Sequence, residues 1–364
     1  MKNGSQHIFK ENIEDVKKTL KSSIISSGPE IIKFEKNLKN FLKCNYVTVC
    51  SSGTAALHLA FMSLGIKRND TVILPDINFI ASFNMLRDLG ANIIICDTNK
   101  INGQICIDSL LKILKKKKKI KALITMYLGG VPKNIDKLIE IKKRYKFMVI
   151  EDACHAFGSR YEYKKKMYSV GGNGNFECSV FSFHPLKTIT SGEGGAAVFK
   201  KTSSYKKSRL LRSHGIVKKN HWDYDVILKG YNYRMDEISA SLGNSQLTFI
   251  SKIINKRRNL SLLYNKFLKN NSDLISILYS DFEIKNSACH LYQIRVFFDK
   301  LKIDKSKLIN IFLKKNILLH SHYKPISHFS YVKLNHYQNF NLVNSKEYFD
   351  NSITLPLYYE MTYS

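Results

Sequence analysis

The chain has 364 residues, enough to bury a large core and intermediate between one big domain and two ordinary ones. Its 44% hydrophobic and 12% aromatic content excludes a disordered chain, and no apolar run of spanning length or apolar leader core near Met1–Lys10 is present, so a cytoplasmic protein is expected. The formal charge of +29 suits a nucleic acid, an anionic membrane or a phosphorylated small molecule, but the lysines are spread along the chain beside Ile and Asn, with no basic stripe interleaved with aromatics, so nucleic-acid binding is not expected.

Short β-rich runs alternate with helical stretches from Val47 to about Phe199. The strands expected are Tyr46–Cys50, Thr71–Leu74, Asn92–Cys96, Lys121–Tyr127, Phe147–Glu151, Ser179–Phe183 and Gly195–Phe199. Ile93-Ile94-Ile95 and Met148-Val149-Ile150 are apolar on consecutive residues, as strands covered on both faces should be, so an α/β domain with a mainly parallel central sheet flanked by helices is predicted. A helix over Thr54–Leu64 follows from Leu57, Phe61 and Leu64 on one face, with Ser51-Ser52 to cap it and Gly65 to end it. The run Lys115–Lys119 reads as a solvated helix end, where cations suit the helix dipole. Beyond Gly230 the pattern predicts one long amphipathic helix over Asp236–Leu268, a strand at Leu291–Phe298, a helix near Lys305–Lys315 and a segment His320–Pro325. A large domain over 1–249 and a smaller α+β domain over 250–364 are expected, sharing a cleft. The seven cysteines are scattered without a Cys-x-x-Cys pair, so reduced, mostly buried thiols are expected and no metal site.

Chemistry concentrates where strands end. Ser179–Phe183 runs into His184-Pro-Leu-Lys187 and then Gly192-Glu-Gly-Gly195, which delivers a lysine to the crevice edge of a doubly wound sheet. On local context alone Lys187 is one surface lysine among the 58 basic residues as readily as a Schiff-base lysine. Its partners weigh the choice. Met148-Val-Ile ends in Glu151-Asp152, and a buried carboxylate beside a pyridine nitrogen is what pyridoxal 5′-phosphate requires to hold its ring proton. His155 reads either as a contact to the cofactor ring or its phenolic oxygen, or as a structural histidine. Ser51-Ser-Gly-Thr-Ala55 is a strand-to-helix turn able to cradle a phosphate.

Five ordered motifs carry a resemblance: Ser51-Ser-Gly-Thr-Ala55, Asn78-Phe79-Ile-Ala-Ser, Glu151-Asp-Ala-Cys-His155, Ser182-Phe-His-Pro-Leu-Lys187 and Gly230-Tyr-Asn-Tyr-Arg-Met235. Over nearly its whole length the chain resembles the DegT-type sugar aminotransferases, fold-type I enzymes dependent on pyridoxal 5′-phosphate. The resemblance implies that Lys187 carries the cofactor, Asp152 pairs with its pyridinium, Phe79 stacks on the ring and His155 touches it. It further implies that Gly53, Thr54, Ala55 and Ser182 bind the phosphate, and that Asn232 reaches the phosphate of a neighbouring subunit, making a homodimer. Lysine rather than histidine at position 187 favours transamination over the family's dehydration chemistry. Arg212-Ser-His-Gly215 and His320-Ser-His-Tyr-Lys-Pro-Ile326 look most like the pseudaminic acid branch. That branch moves an amino group from L-glutamate to position 4 of a UDP-linked 4-keto-6-deoxy-N-acetylhexosamine. By that likeness Ser23, Ile24, Ile25, Ser26, His322, Tyr323 and Lys324 contact the nucleotide sugar. Other UDP- or dTDP-linked keto sugars remain alternatives, as does a non-catalytic basic binding protein. Two departures stand out: no tyrosine near the N-terminus, and an end at Ser364 where the family continues into a final helix, so a shortened end or a different closure of the small domain is expected.

Overall fold

The computed structural model describes residues 4–117, 119–172, 174–335 and 341–363. Seven strands form its central sheet: β1 (Tyr46–Cys50), β2 (Thr71–Pro75), β3 (Asn92–Cys96), β4 (Ala122–Met126), β5 (Met148–Asp152), β6 (Cys178–Ser182) and β7 (Gly195–Phe199). Their spatial order is β1-β7-β6-β5-β4-β2-β3. All run parallel except β7, which pairs antiparallel with both β1 and β6. The five residues of β4 and of β7 are all buried, which is why these strands read as unbroken apolar runs rather than alternating ones. Because the strands run parallel, Cys50, Pro75, Met126, Asp152 and Ser182 all end at one sheet edge, and Gly195 opens β7 opposite Cys50 and Ser182 at that same edge.

Helices α1 (Lys10–Leu20), α2 (Pro29–Leu42) and α3 (Gly53–Ser63) precede or follow β1, and α4 (Glu237–Thr248) packs against α1 and α2. The N-terminus of α2 has no side-chain cap of its own. Glu237, fully buried on α4, accepts from the amides of Gly28 (2.8 Å), Glu30 (2.6 Å) and Ile31 (3.3 Å) and so supplies the anion that the helix start requires.

The single helix expected over Asp236–Leu268 is two helices. α4 ends at Thr248, Phe249 leaves helical geometry (φ −97°, ψ 2°), and α5 runs Ile250–Leu268. Phe249 stacks on Phe9 with centroids 4.1 Å apart, a contact with the N-terminal segment that no local pattern announces. The expected domain boundary falls at this break, yet Ile250, Ile253 and Ile254 of α5 belong to the core beneath the central sheet.

A second, antiparallel sheet of β8 (Ile275–Ile277), β9 (Tyr292–Val296) and β10 (Ser352–Leu355) has its own core around Leu260, Ile294 and Ile353. β9 is shorter than the expected Leu291–Phe298, because Phe298 opens a short helix. The expected lysine-rich helix end is the close of Ile107–Lys116, while Lys118 of that run and the chain end at Ser364 lie outside the described residues. All seven cysteines are free thiols. Among the described residues no helix is long and apolar enough to cross a membrane.

Candidate active site

The parallel sheet edge opens into a cavity of about 520 Å³, within the range of small-molecule pockets. Its wall includes Gly53, Thr54, Phe79, Asp152, His155, Ser182, Lys187, His322 and Tyr323. Residues far apart in the sequence are thus brought to one place by the strand ends.

The anion cradle is local in origin. Ser52 is extended (φ −165°, ψ 166°) between β1 and α3, and its Oγ accepts from the Ala55 amide at 3.1 Å, a regular N-cap. The cap takes up the amide of Ala55, whereas Gly53 and Thr54, whose amides have no acceptor among the described residues, line the cavity beside Ser182. Close packing keeps this cradle free of side chains: a Cβ on Gly53 would lie 2.8 Å from Ser182 Cβ, and one on Gly195 would lie 2.3 Å from Ser52 O. Two free amides at a helix N-terminus with hydroxyls beside them fit a phosphate.

Asp152 ends β5 at 3% exposure, its Oδ1 accepting from the Cys154 amide at 3.3 Å. Burial raises its carboxyl above the usual range, and Cys154 and the Lys187 ammonium pull it back. Burial also lowers the Lys187 amine, against the pull of Cys154 and Asp152. Deprived of water, both groups move toward their neutral forms. An amine of lowered basicity that is still accessible from the cavity can act as nucleophile and base.

His155 is buried beside this pair. The Gly129 amide donates to its Nδ1 at 3.4 Å and its Nε2 stands 2.9 Å from Tyr323 Oη, so the proton is assigned to Nε2, which donates to the tyrosine. Burial, with Lys187, His290 and His322 nearby, holds the ring neutral. Its ring lies 4.2 Å from that of His290, a cavity residue from the segment before β9. Phe79 is half exposed at the mouth, with its ring 5.9 Å from that of Tyr323.

Other expected site residues lie elsewhere in the chain. Ser23, Ile24, Ile25 and Ser26 are exposed outside the cavity; Ser26 bridges to Asp236, and Ile25 O accepts from the Glu237 amide. Lys324 is exposed with its Nζ 5.5 Å from the Phe329 centroid, and Asn232 is exposed beside Ser213. Sequence reasoning missed Gly4, Leu186, Glu193, His290, Leu318 and His320 as cavity residues. Glu193 lay within a quoted motif, but nothing in the sequence aims Gly4 or Leu318 at the strand ends. Among the described residues no cluster of three or more His, Cys, Asp or Glu side chains could hold a metal ion.

A lysine and a buried aspartate on the floor of a parallel-sheet crevice, with an anion cradle at a helix start, define a pyridoxal-phosphate enzyme of the fold-type I class. Comparison with known proteins agrees. The chain belongs to the DegT/DnrJ/EryC1/StrS aminotransferase family, whose model matches residues 6–364, and is a pyridoxal 5′-phosphate-dependent aminotransferase. It is similar to the UDP-4-amino-4,6-dideoxy-N-acetyl-beta-L-altrosamine transaminase of Campylobacter jejuni (strain 81-176), at 34% identity over 98% of this chain and 92% of the relative. Among solved structures it resembles Helicobacter pylori PseC, an aminotransferase involved in pseudaminic acid biosynthesis, with TM-score 0.89 and 28% identity, covering 100% of this chain and 95% of that one. It also resembles the PLP form of the putative sugar aminotransferase Spr1654 of Streptococcus pneumoniae, with TM-score 0.89 and 25% identity, covering 100% and 95%.

Proposed function

We propose that the chain transfers the amino group of L-glutamate to C4 of a UDP-linked 4-keto-6-deoxy-N-acetylhexosamine. Glutamate leaves as 2-oxoglutarate, and the sugar carbonyl becomes a carbon bearing one hydrogen and an amine. The observation that carries the aminotransferase half of this reading is the convergence of Lys187, Asp152 and the free amides of α3 on one cavity. The sugar half draws on the relatives' names and on the segment His320–Ile326, which brings His322 and Tyr323 to the same cavity.

Pyridoxal phosphate, when bound, supplies the conjugated pyridinium that withdraws electrons from the substrate carbon and carries the amino group between the two half-reactions. Asp152, buried at the cavity, would hold the proton on the ring nitrogen. The amides of Gly53 and Thr54 and the hydroxyls of Thr54 and Ser182 hold the phosphate. In this reading Ala55 contributes through the cap rather than through its amide, because Ser52 already occupies that donor. Lys187 Nζ would hold the cofactor covalently and, as a free amine, would move the proton at the substrate carbon. Phe79 covers one face of the site and His155 orients Tyr323. Asn232, exposed and absent from the cavity wall of its own chain, reaches a cofactor only across a subunit contact; Ser23–Ser26 and Lys324, also outside the wall, would likewise serve a shared site. A homodimer is therefore part of the proposal.

The test combines cofactor-loaded protein, L-glutamate and a panel of UDP-, GDP- and dTDP-linked 4-keto sugars, with amino sugar detected by mass. Turnover of the UDP-linked N-acetylhexosamine in preference to the others is expected; preference for another nucleotide replaces the substrate assignment. Lys187→Ala is expected to lose both turnover and the visible absorbance of the bound cofactor, and an unchanged spectrum and rate would overturn the assignment of Lys187.

A further inference from the structure

We infer that Asp76 is a positioning residue, outside the cavity wall, that sets the gap between the two aromatic walls Phe79 and Tyr323. The inference rests on the nucleotide-sugar reading above.

Asp76 directly follows β2, three residues before Phe79. Its own amide donates to Cys96 O at 2.9 Å, which fixes it to the end of β3. Every other bond it makes to the backbone or to Ser327 runs to the segment just after Tyr323. Asp76 O accepts from the Ile326 amide at 2.8 Å, Oδ1 from the Ser327 amide at 2.8 Å and Oδ2 from Ser327 Oγ at 3.0 Å. Asp76 and Ile326 are fully buried and Ser327 nearly so. The carboxylate thus ties the loop that carries Phe79 to the segment that carries Tyr323, whose rings stand 5.9 Å apart across the cavity mouth.

Tyr323 is held from its other side as well. Its hydroxyl meets His155 Nε2, and the preceding His322 carbonyl accepts from Tyr348 Oη at 2.9 Å and Gln293 Nε2 at 3.2 Å. With that side anchored, the Asp76–Ser327 bonds, together with the Ile326 amide on Asp76 O, hold the segment on the side that follows Tyr323. Keeping a carboxylate here costs desolvation: burial is the largest cause raising its pKa, and Asp97 adds a second negative charge nearby. No lysine or arginine within ion-pair distance of Asp76 is found among the described residues. Ser345, on the helix Val343–Asn351, adds a side-chain hydrogen bond to the same carboxylate. A buried charge retained with hydroxyl and amide donors but no cationic partner among the described residues contributes geometry rather than net stability.

The test compares Asp76→Ala, Asp76→Asn and Ser327→Ala as cofactor-loaded enzymes on whichever keto sugar the wild type aminates. Asp76→Ala is expected to raise the KM for the keto sugar about tenfold with kcat within about threefold, while the half-reaction with L-glutamate stays within about twofold. Asp76→Asn keeps an acceptor for the Ser327 amide and offers Nδ2 to Ser327 Oγ, so it is expected to restore KM to within about threefold of wild type. Ser327→Ala removes one bond without emptying the site and is expected to raise KM about threefold, which keeps the inference testable if Asp76→Ala does not fold. An unchanged KM in Asp76→Ala or Ser327→Ala, an equal fall in both half-reactions, or no rescue by Asp76→Asn overturns it. A wild type that aminates no nucleotide sugar overturns the functional reading instead.

Discussion

Replacing Gly195 by Ala places a methyl group against the backbone that builds the anion cradle. The new Cβ would stand 2.3 Å from Ser52 O, 2.5 Å from Ser52 C and 2.7 Å from Gly53 N. Ordinary contact begins near 3.4 Å, so the peptide joining Ser52 to Gly53 must retreat by about 1 Å. That peptide carries the first free amide of α3, and a shift of this size spoils the direction of both free amides toward a phosphate. Hydrogen bonds to a charged group are worth about 1.5–3 kcal/mol each; losing roughly half the value of two gives about 2 kcal/mol, or about thirtyfold in affinity. Overpacking of a buried strand adds a fold destabilisation of about 1–3 kcal/mol. The assay is titration of cofactor-free protein with pyridoxal 5′-phosphate and, separately, with pyridoxal, followed by absorbance, with urea unfolding alongside. Gly192→Ala is the control: its φ of +77° strains a side chain, but no atom lies within 4 Å of the new Cβ. It should lower stability by about 1 kcal/mol while leaving cofactor affinity within about twofold. Weakening of pyridoxal as much as of its phosphate by Gly195→Ala, or of neither, refutes the reasoning.

Two further outcomes are expected. Arg257 is buried with no carboxylate partner among the described residues, and Nη1 donates to the carbonyls of Leu357 (3.0 Å), His290 (3.2 Å) and Cys289 (3.4 Å), its pKa lowered to about 10 by burial. Arg257→Met strands those carbonyls and, after the relief of removing a buried cation, should cost about 2 kcal/mol in urea unfolding; an unchanged midpoint contradicts this. His322 is lowered to about 3 from 6.5, chiefly by burial. A base with a depressed pKa contributes stability that is present above 6.5 and is lost as the pH falls toward 3. Between pH 6.5 and 5 the full effect is about 2 kcal/mol, reduced to about 1 kcal/mol for a group that lines an open cavity. Unfolding of cofactor-free wild type and His322→Gln at pH 7 and pH 5 should differ by that much in slope, and parallel losses refute it.

The central sheet was legible because its strands are buried on both faces, and consecutive apolar residues such as Ile93-Ile94-Ile95 have no other ready explanation. The floor of the site followed from it: strand ends in a parallel sheet converge, so Asp152, Ser182 and Lys187 had to approach one another. The break at Phe249 was not legible, since no Gly or Pro marks it and its ring packs on Phe9, 240 positions away by residue number. His290 and Asp76 were hidden for a similar reason. Their partners, His155 and Ser327, are distant in sequence, and an isolated histidine or aspartate carries no periodicity to read.

Glu151 and Asp152 are neighbours on β5 that face opposite ways. Asp152 looks into the cavity, while Glu151 points to the other side of the sheet and accepts from Tyr127 Oη at 2.6 Å and from Ser179 Oγ. Tyr127 follows β4 and Ser179 lies on β6, so this carboxylate pins the register of β5 against both neighbours. A slip of one residue would exchange the two acids, turning Asp152 away from the cavity and stranding the hydroxyls beneath. An insertion or deletion anywhere in β5 is therefore penalised on both faces of the sheet at once. The strand itself therefore has almost no freedom to drift.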